Sequence, residues 1–358
     1  MIRVLHIVGK MHRAGQETFI MNLYRNIDRS KIQFDFAVGT EEPQDYDDEI
    51  RALGGNIYYV TPMSQGVWKH YKSLKKLLNG KGYNIIHRHT ANSYVFVDLL
   101  AAKACGVKHR YIHSHSNFAN HKLINCICRY VNNTLATERF ACSNAAGIWL
   151  YGKNKKFTVI KNAIETSKYI FDKKKRFQIR NTYGIKADEI VIGHVGRFAE
   201  QKNHNFIIRI FSALYKMNES CRLMLVGNGE LESIIKSLCM QLGIKDKVLF
   251  LGNKENIHEL MLAMDVFVFP SLNEGLGIVG IEAQAAGLPC FFADTIPPET
   301  HIVKELIHVL SLKDSAETWG EIILKNYQVI RKPHLQAIVM AGYDVSALAH
   351  QFELEYYI

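Results

Sequence analysis

The stretch Phe269-Pro-Ser-Leu-Asn-Glu274-Gly-Leu-Gly277-Ile-Val-Gly-Ile-Glu282-Ala-Gln-Ala-Ala-Gly287-Leu-Pro289 runs from an apolar strand through a glycine-containing loop into a helix that begins near Gly277. A helix start with unpaired N–H groups behind small residues suits an anion, because the backbone can approach closely and the dipole favours negative charge. Gly275, Leu276, Gly277 and Ile278 supply that backbone. Glu274 stands just ahead of it, where a carboxylate is electrostatically poor unless its oxygens accept from hydroxyl groups; sugar hydroxyls meet that requirement. Glu282 lies about two helical turns further on, where a second carboxylate can accept from a ribose hydroxyl pair. A Glu–x7–Glu pair alone is more often a helix cap and a structural acid. The surrounding frame of Pro, Ser, Gly and Ala positions sets this one apart.

A second cluster follows the strand Ile190–Val195 as Gly196-Arg197-Phe-Ala-Glu-Gln-Lys202-Asn203, placing two cations on a strand-to-helix loop. Two phosphate-loop patterns are weaker. Gly147 to Asn154 has Asn where a metal-binding hydroxyl is needed and follows helix-like sequence, so it is set aside. Gly227-Asn-Gly229 lacks the third glycine of a dinucleotide fingerprint, Glu232 standing there, and supports a tight turn. Histidines cluster at two strand ends, His87-Arg88-His89 and His113-Ser114-His115. Without a Cys-x-x-Cys pair and with the carboxylates accounted for, a histidine metal site is possible but has no support in the sequence, and no metal is expected.

The elements that must position these residues alternate short β-branched runs with longer helical patterns, which implies parallel sheets covered by helices on both faces. Seven runs lie in the first half: 3–8, 34–38, 57–60, 85–87, 110–113, 140–141 and 157–160. Six follow: 190–195, 222–226, 248–251, 266–269, 289–292 and 308–310. With 358 residues, 48% hydrophobic and 22% charged, the chain is long enough for two cores, and disorder, fibrous and disulfide-framework classes are excluded. The expected division is a first domain over 1–168, a second over 169–340, and a C-terminal helix over 341–358 returning to the first. Seven scattered cysteines, no signal-peptide core and no apolar run of spanning length point to the reduced cytoplasm.

Charge is uneven. Residues 1–180 carry 29 basic and 13 acidic side chains, against 15 and 21 in 181–358, so the first half is the one suited to an anionic surface. Val67, Trp68, Tyr71, Leu74, Leu77 and Leu78 form a stripe beside Lys69, Lys72, Lys75, Lys76 and Lys81, a pattern that fits either an anionic leaflet or a core helix with a lysine-rich outer face. No nucleic-acid reading module accompanies the basic residues.

On the Glu274–Glu282 frame and the Gly196–Lys202 element, the sequence resembles the family 4 retaining glycosyltransferases of polysaccharide biosynthesis. The resemblance implies an α/β protein of GT-B architecture, two Rossmann-like domains with parallel sheets facing a central cleft. It implies that Arg197 and Lys202 hold the pyrophosphate of a nucleoside-diphosphate sugar, UDP-linked by expectation. Glu274 would touch the sugar and Glu282 the ribose, with Gly275, Leu276, Gly277 and Ile278 at the phosphates. In the first domain Gly15 stands for the family's glycine pair, with Ala14 in place of the other, and His113 or His115 for the histidine near the reacting carbon, register favouring His113. The usual Asn-Gly is Asn162-Ala163. Transfer would retain configuration without a divalent cation, onto a glycan or lipid-linked acceptor, with the protein peripheral on the inner face of a membrane. A sugar-nucleotide epimerase of the same fold and a non-catalytic glycan-binding subunit are the alternatives.

Overall fold

The computed structural model describes residues 1–13, 15–90, 92–115 and 122–357, the side chains of 122–126 excepted. Two compact units result, Met1–Ile164 with Gly342–Ile358, and Glu165–Ala341. The division falls at 164/165 rather than at 168/169, and the final helix belongs to the first unit.

The first unit holds seven strands, β1 (Ile2–Ile7), β2 (Ile32–Val38), β3 (Ile57–Tyr59), β4 (Ile85–Thr90), β5 (His109–Ser114), β6 (Glu138–Ala141) and β7 (Thr158–Val159), in the order β3-β2-β1-β4-β5-β6-β7. The second holds β8 (Ile190–Val195), β9 (Cys221–Val226), β10 (Val248–Phe250), β11 (Val266–Phe269), β12 (Cys290–Ala293) and β13 (Ile307–Leu310), in the order β10-β9-β8-β11-β12-β13. Among the described residues these strands all pair in parallel. Every β-rich run of the sequence forms a strand, and β4 extends past His87 to Thr90, carrying His89 into the sheet. Helices cover both faces, so the central strands are buried throughout: every residue of β2, β11 and β12 is buried. That double burial is why β11 and β12 read as continuous apolar runs rather than alternating ones.

Strand order fixes where a ligand can sit. In the first sheet the chain moves outward from β1 to β2 and β3, then returns to β4 on the other side; in the second it does the same around β8, with β11 returning. Loops leaving the carboxyl ends of two adjacent strands in opposite directions open a crevice at that switch point. The loops that carry the two motifs follow β8 and β11, which are neighbours.

Helix Val345–Tyr356 closes the first unit. Asp344 caps it, accepting from the N–H groups of Ser346 and Ala347. Its apolar face buries Val345, Leu348, Phe352 and Tyr356 in the cluster that contains Phe34, Phe36 and Phe140. The Tyr356 hydroxyl bonds His87 Nδ1 at 2.7 Å, and Glu353 accepts from the Asp28 N–H at 2.7 Å. Helix Val67–Lys81 buries His70, Leu74 and Leu78 and leaves Val67 and Trp68 exposed. Trp68 stacks on Tyr71 with Lys72 over its ring. The Gly147–Asn154 stretch is helical to Tyr151, with Phe157 against Gly147, and forms no phosphate loop.

Phe352 is fully buried and packs on Phe140 with ring centroids 5.4 Å apart. Phe352→Ala is expected to cost about 3–5 kcal/mol, seen in urea as a lower midpoint for the first unit with the second unit's transition unmoved. An unchanged first transition would show that the returning helix contributes nothing to that core.

Candidate active site

The site in the second unit begins with how two loops are tied together. After β8, residues 196–203 turn back toward β11, and Asn203 ends the turn in the left-handed region at φ 54°. Its side-chain amide donates to the carbonyl of Pro270 at 3.1 Å. The Leu272 N–H donates to the Gln201 carbonyl, and the Gln201 amide donates to the Asn273 carbonyl, both at 2.8 Å. These bonds bring Lys202 Nζ to 2.6 Å from Glu274 Oε1, with the two side chains only 19% and 6% exposed. Lys202 also lies 5.4 Å from the centre of the Phe269 ring. A pair this desolvated is far more tightly held than an exposed one, and removing either partner leaves the other charge poorly solvated.

The glycines of both loops have steric reasons. A Cβ on Gly196 would stand 3.3 Å from the Lys202 stem. One on Gly277, at φ +76°, would stand 2.8 Å from the Phe269 ring. Gly277 precedes helix Ile278–Ala285, whose first-turn N–H groups lack intrahelical partners. Gly275 is exposed, with nothing within 4 Å of its Cβ position, so the backbone there is open to an incoming group. Leu276, Gly277 and Ile278 are partly buried, and the Thr300 hydroxyl donates to the Leu276 carbonyl. Gly227 and Gly229 serve a different purpose: a Cβ on either would meet the backbone of Gly196 at 2.2 Å or of Phe198 at 2.6 Å. They let the turn after β9 pack on the turn after β8.

Glu282 lies within the helix Ile278–Ala285, partly exposed, and accepts from the Tyr169 hydroxyl at 2.6 Å. Burial pushes its carboxyl up to about 7, against the downward pull of the Tyr169 hydroxyl. Arg197 is exposed and pairs loosely with Glu230 at 3.1 Å, an interaction that leaves its guanidinium available at little cost. Thus Arg197, Lys202, Glu274, Gly275 to Ile278 and Glu282 all stand on the β8 and β11 carboxyl-end loops and the helix they open, with Lys202 and Glu274 in direct contact.

Gly15 and His113 lie in the first unit. Gly15 opens helix Gly15–Asn26 and has nothing within 4 Å of its Cβ position. Four residues on, Phe19 packs edge-on against His113, ring centroids 5.1 Å apart. His113 is fully buried, and neither of its nitrogens has a hydrogen-bond partner among the described residues; His115 is partly exposed. His87 and His89 occupy the same sheet face, joined by His6 of β1. His6 Nδ1 meets His89 Nε2 at 2.9 Å, and His89 Nδ1 meets His115 Nε2 at 2.9 Å. Burial, and then the neighbouring rings, hold His87, His89 and His113 well below the usual imidazole range. Burial takes His6 and His115 down to about 3. Arg88 points to the opposite face, pairing with Asp98 at 2.7 Å.

Several participants have no sequence signal of their own. Tyr169 sits at the expected junction of the two domains, outside both motifs, and Gln201 and Asn203 act through backbone carbonyls. His6 joins the histidine face only because β1 pairs with β4. A cavity of about 620 Å³ in the first unit, lined by Val8, Gly9, Val38, Pro62, Arg88 and Tyr94 among others, opens at the carboxyl ends of β1 and β2 and beside β4.

Comparison with known proteins bears on this arrangement. Residues 175–326, which contain both motifs, match the family described as "Glycosyl transferases group 1". EpsF of Bacillus subtilis (strain 168), which carries a glycosyltransferase name, is 36% identical over 358 residues, covering 96% of this chain and 93% of its own. The UDP-Gal:alpha-D-GlcNAc-diphosphoundecaprenol alpha-1,3-galactosyltransferase of Escherichia coli is 29% identical over 267 residues, 69% of this chain and 67% of its own. Among solved structures, Anabaena Alr3699/HepE in complex with UDP superposes with a TM-score of 0.80 at 19% identity, covering 99% of both chains. The fold is GT-B, and the chain belongs to the group 1 glycosyltransferases.

Proposed function

We propose that this glycosyltransferase moves a sugar from a UDP-sugar to a glycan or lipid-linked acceptor in surface-polysaccharide synthesis, retaining configuration and requiring no divalent cation. The observation that carries the donor reading is the Lys202–Glu274 pair at the β8/β11 switch point. Without ligand the lysine is neutralised by the glutamate. A diphosphate carries more charge than one carboxylate and presents several acceptors, so it draws Lys202 away and frees Glu274 to accept from sugar hydroxyls. Arg197, held only by Glu230, swings to the same anion. The N–H groups of Gly275 to Ile278 complete the cradle.

In the transfer itself the bond between the anomeric carbon and the diphosphate oxygen breaks while the acceptor oxygen bonds that carbon on the same face. The acceptor proton passes to the departing phosphate. Charge developing on the diphosphate is met by Lys202, Arg197 and the helix start, groups already aimed before the reaction, which is where such stabilisation is largest. Glu282 accepts from the ribose. His113, with His115 two residues on, and Gly15 serve the sugar and acceptor side from the first unit. Its cavity, apolar-walled with Lys10 in its lining, suits an amphiphilic anionic acceptor. The UDP and diphosphoundecaprenol in the names of similar proteins support the donor and acceptor classes.

No helix among the described residues is long and apolar enough to cross a membrane. Exposed Val67 and Trp68 beside Lys69 and Lys72 support reversible attachment to an anionic leaflet instead.

Glu274→Gln should separate the two halves of the donor reading. Transfer is expected to fall about 10²-fold or more, while calorimetry finds UDP bound as tightly as in the unaltered enzyme or tighter, because Lys202 is no longer claimed. Unchanged transfer in this variant would remove Glu274 from the site. UDP affinity is also expected to rise with pH. Ribose hydroxyls require the ionised Glu282, which in the free protein still holds its proton below about 7, so each unit below that value weakens binding by up to about tenfold. Glu282→Gln should flatten the profile; a profile unaltered by that change would exclude Glu282 as its source. Co-sedimentation with phosphatidylglycerol vesicles at low salt is expected, and should weaken in Trp68→Ala; no sedimentation at all would exclude the membrane surface.

A further inference from the structure

Five imidazoles line one face of the first sheet, and the glycosyl-transfer reading uses at most two of them. We propose that His89, His113 and His115 form a binding site for a single divalent cation of the zinc class. Their ligand nitrogens all lie within 4.8 Å of one another. The sheet creates this convergence: His89 and His113 are register partners across β4 and β5, and His115 follows on the same face after one intervening residue. Tetrahedral zinc, bonded to imidazole at about 2.0–2.1 Å, sets its nitrogens about 3.3 Å apart. His89 Nδ1 and His115 Nε2 stand at 2.9 Å and the whole trio within 4.8 Å, so opening the pair by about 0.4 Å and closing His113 by up to about 1.5 Å reaches the tetrahedral spacing.

Three further observations favour this trio. His113 is fully buried with no hydrogen-bond partner on either nitrogen among the described residues, so it presents a lone pair that nothing there satisfies. His89 is gripped from behind by His6, Nε2 to Nδ1 at 2.9 Å, the kind of outer contact that fixes a ligating ring and its tautomer. His115 is partly exposed and gives an entry path. The neighbouring set of His6, His87 and His89 is fully buried, and His87 Nδ1 is already taken by Tyr356.

The ligand chemistry narrows the ion. Three neutral nitrogens without carboxylate or thiolate favour zinc, nickel or copper over magnesium or calcium. They also leave a buried double charge uncompensated, so the fourth position takes an anion such as hydroxide. The site belongs to the first unit and rests on none of Arg197, Lys202, Glu274 or Glu282; it does claim His113 and His115, so where it is filled these two act as ligands to the ion and not as contacts to the sugar.

The test uses the untagged full chain, stripped with a chelator and titrated with Zn(II) by calorimetry and with Co(II) by visible absorption. One equivalent is expected, with Co(II) bands of tetrahedral intensity and no competition from Mg(II) or Ca(II). His115→Ala, at the partly exposed end, should abolish binding while keeping the far-UV circular dichroism and thermal midpoint of the unaltered protein. His89→Phe should abolish it too, and His6→Phe should weaken it by about 10–100-fold. Absence of saturable binding would overturn the proposal, as would binding that survives His115→Ala. Binding lost in His6→Phe but kept in His115→Ala would put the ion on the other trio and overturn this assignment.

Discussion

Lys202 and Glu274 come from loops more than seventy residues apart, yet meet at 2.6 Å in a largely desolvated setting. Opposite charges so placed attract strongly, but each depends on the other to offset its lost hydration. This mutual dependence holds the turn after β8 against the turn after β11, and the bonds from Asn203 and Gln201 to backbone carbonyls fix the spacing. The same dependence makes the pair exchangeable. A ligand that offers the lysine a richer anion and the glutamate a set of hydroxyl donors can replace the contact without stranding either charge.

The surrounding packing serves that exchange. Gly227 and Gly229 let the turn after β9 close on the backbone of Gly196 and Phe198. Gly277 brings the start of the following helix onto the Phe269 ring, the same ring that lies beside Lys202. Tyr169 keeps the Glu282 carboxyl hydrogen-bonded in surroundings that otherwise favour its protonated form. Apart from Tyr169, which reaches in from the turn 166–169, these features follow the carboxyl ends of parallel strands, the place the strand order leaves open.

Much of this was legible in the chain. Thirteen strands could be read because both faces of each sheet are covered, so burial wrote continuous β-branched runs between glycines and helical stretches. The helix start at Gly277 was marked by small residues, and the two motifs named their own residues. Contacts between motifs were not legible. Nothing in the spacing of Lys202 and Glu274 states that β8 and β11 are neighbours, and Tyr169 lay at the expected domain junction, more than a hundred residues from Glu282. The histidine face was hidden for the same reason. His87 and His89, or His113 and His115, look like unremarkable alternations until the pairing of β1, β4 and β5 stacks them with His6. Read alone, His87-Arg88-His89 supported no metal; the sheet sets His113 and His115 beside His89, and Arg88 turns away to Asp98. The basic stripe of Val67–Lys81 was ambiguous because one helix has two faces: Leu74 and Leu78 went to the core, while Trp68 stayed outside.

The most direct measurement of the central claim is a crystal structure of this chain with UDP bound. The account predicts Lys202 Nζ off Glu274 and on a diphosphate oxygen, with the diphosphate over the N–H groups of residues 275–278 and Glu274 facing the vacant sugar position. A nucleotide bound elsewhere, or bound there with the lysine–glutamate contact intact, would contradict it.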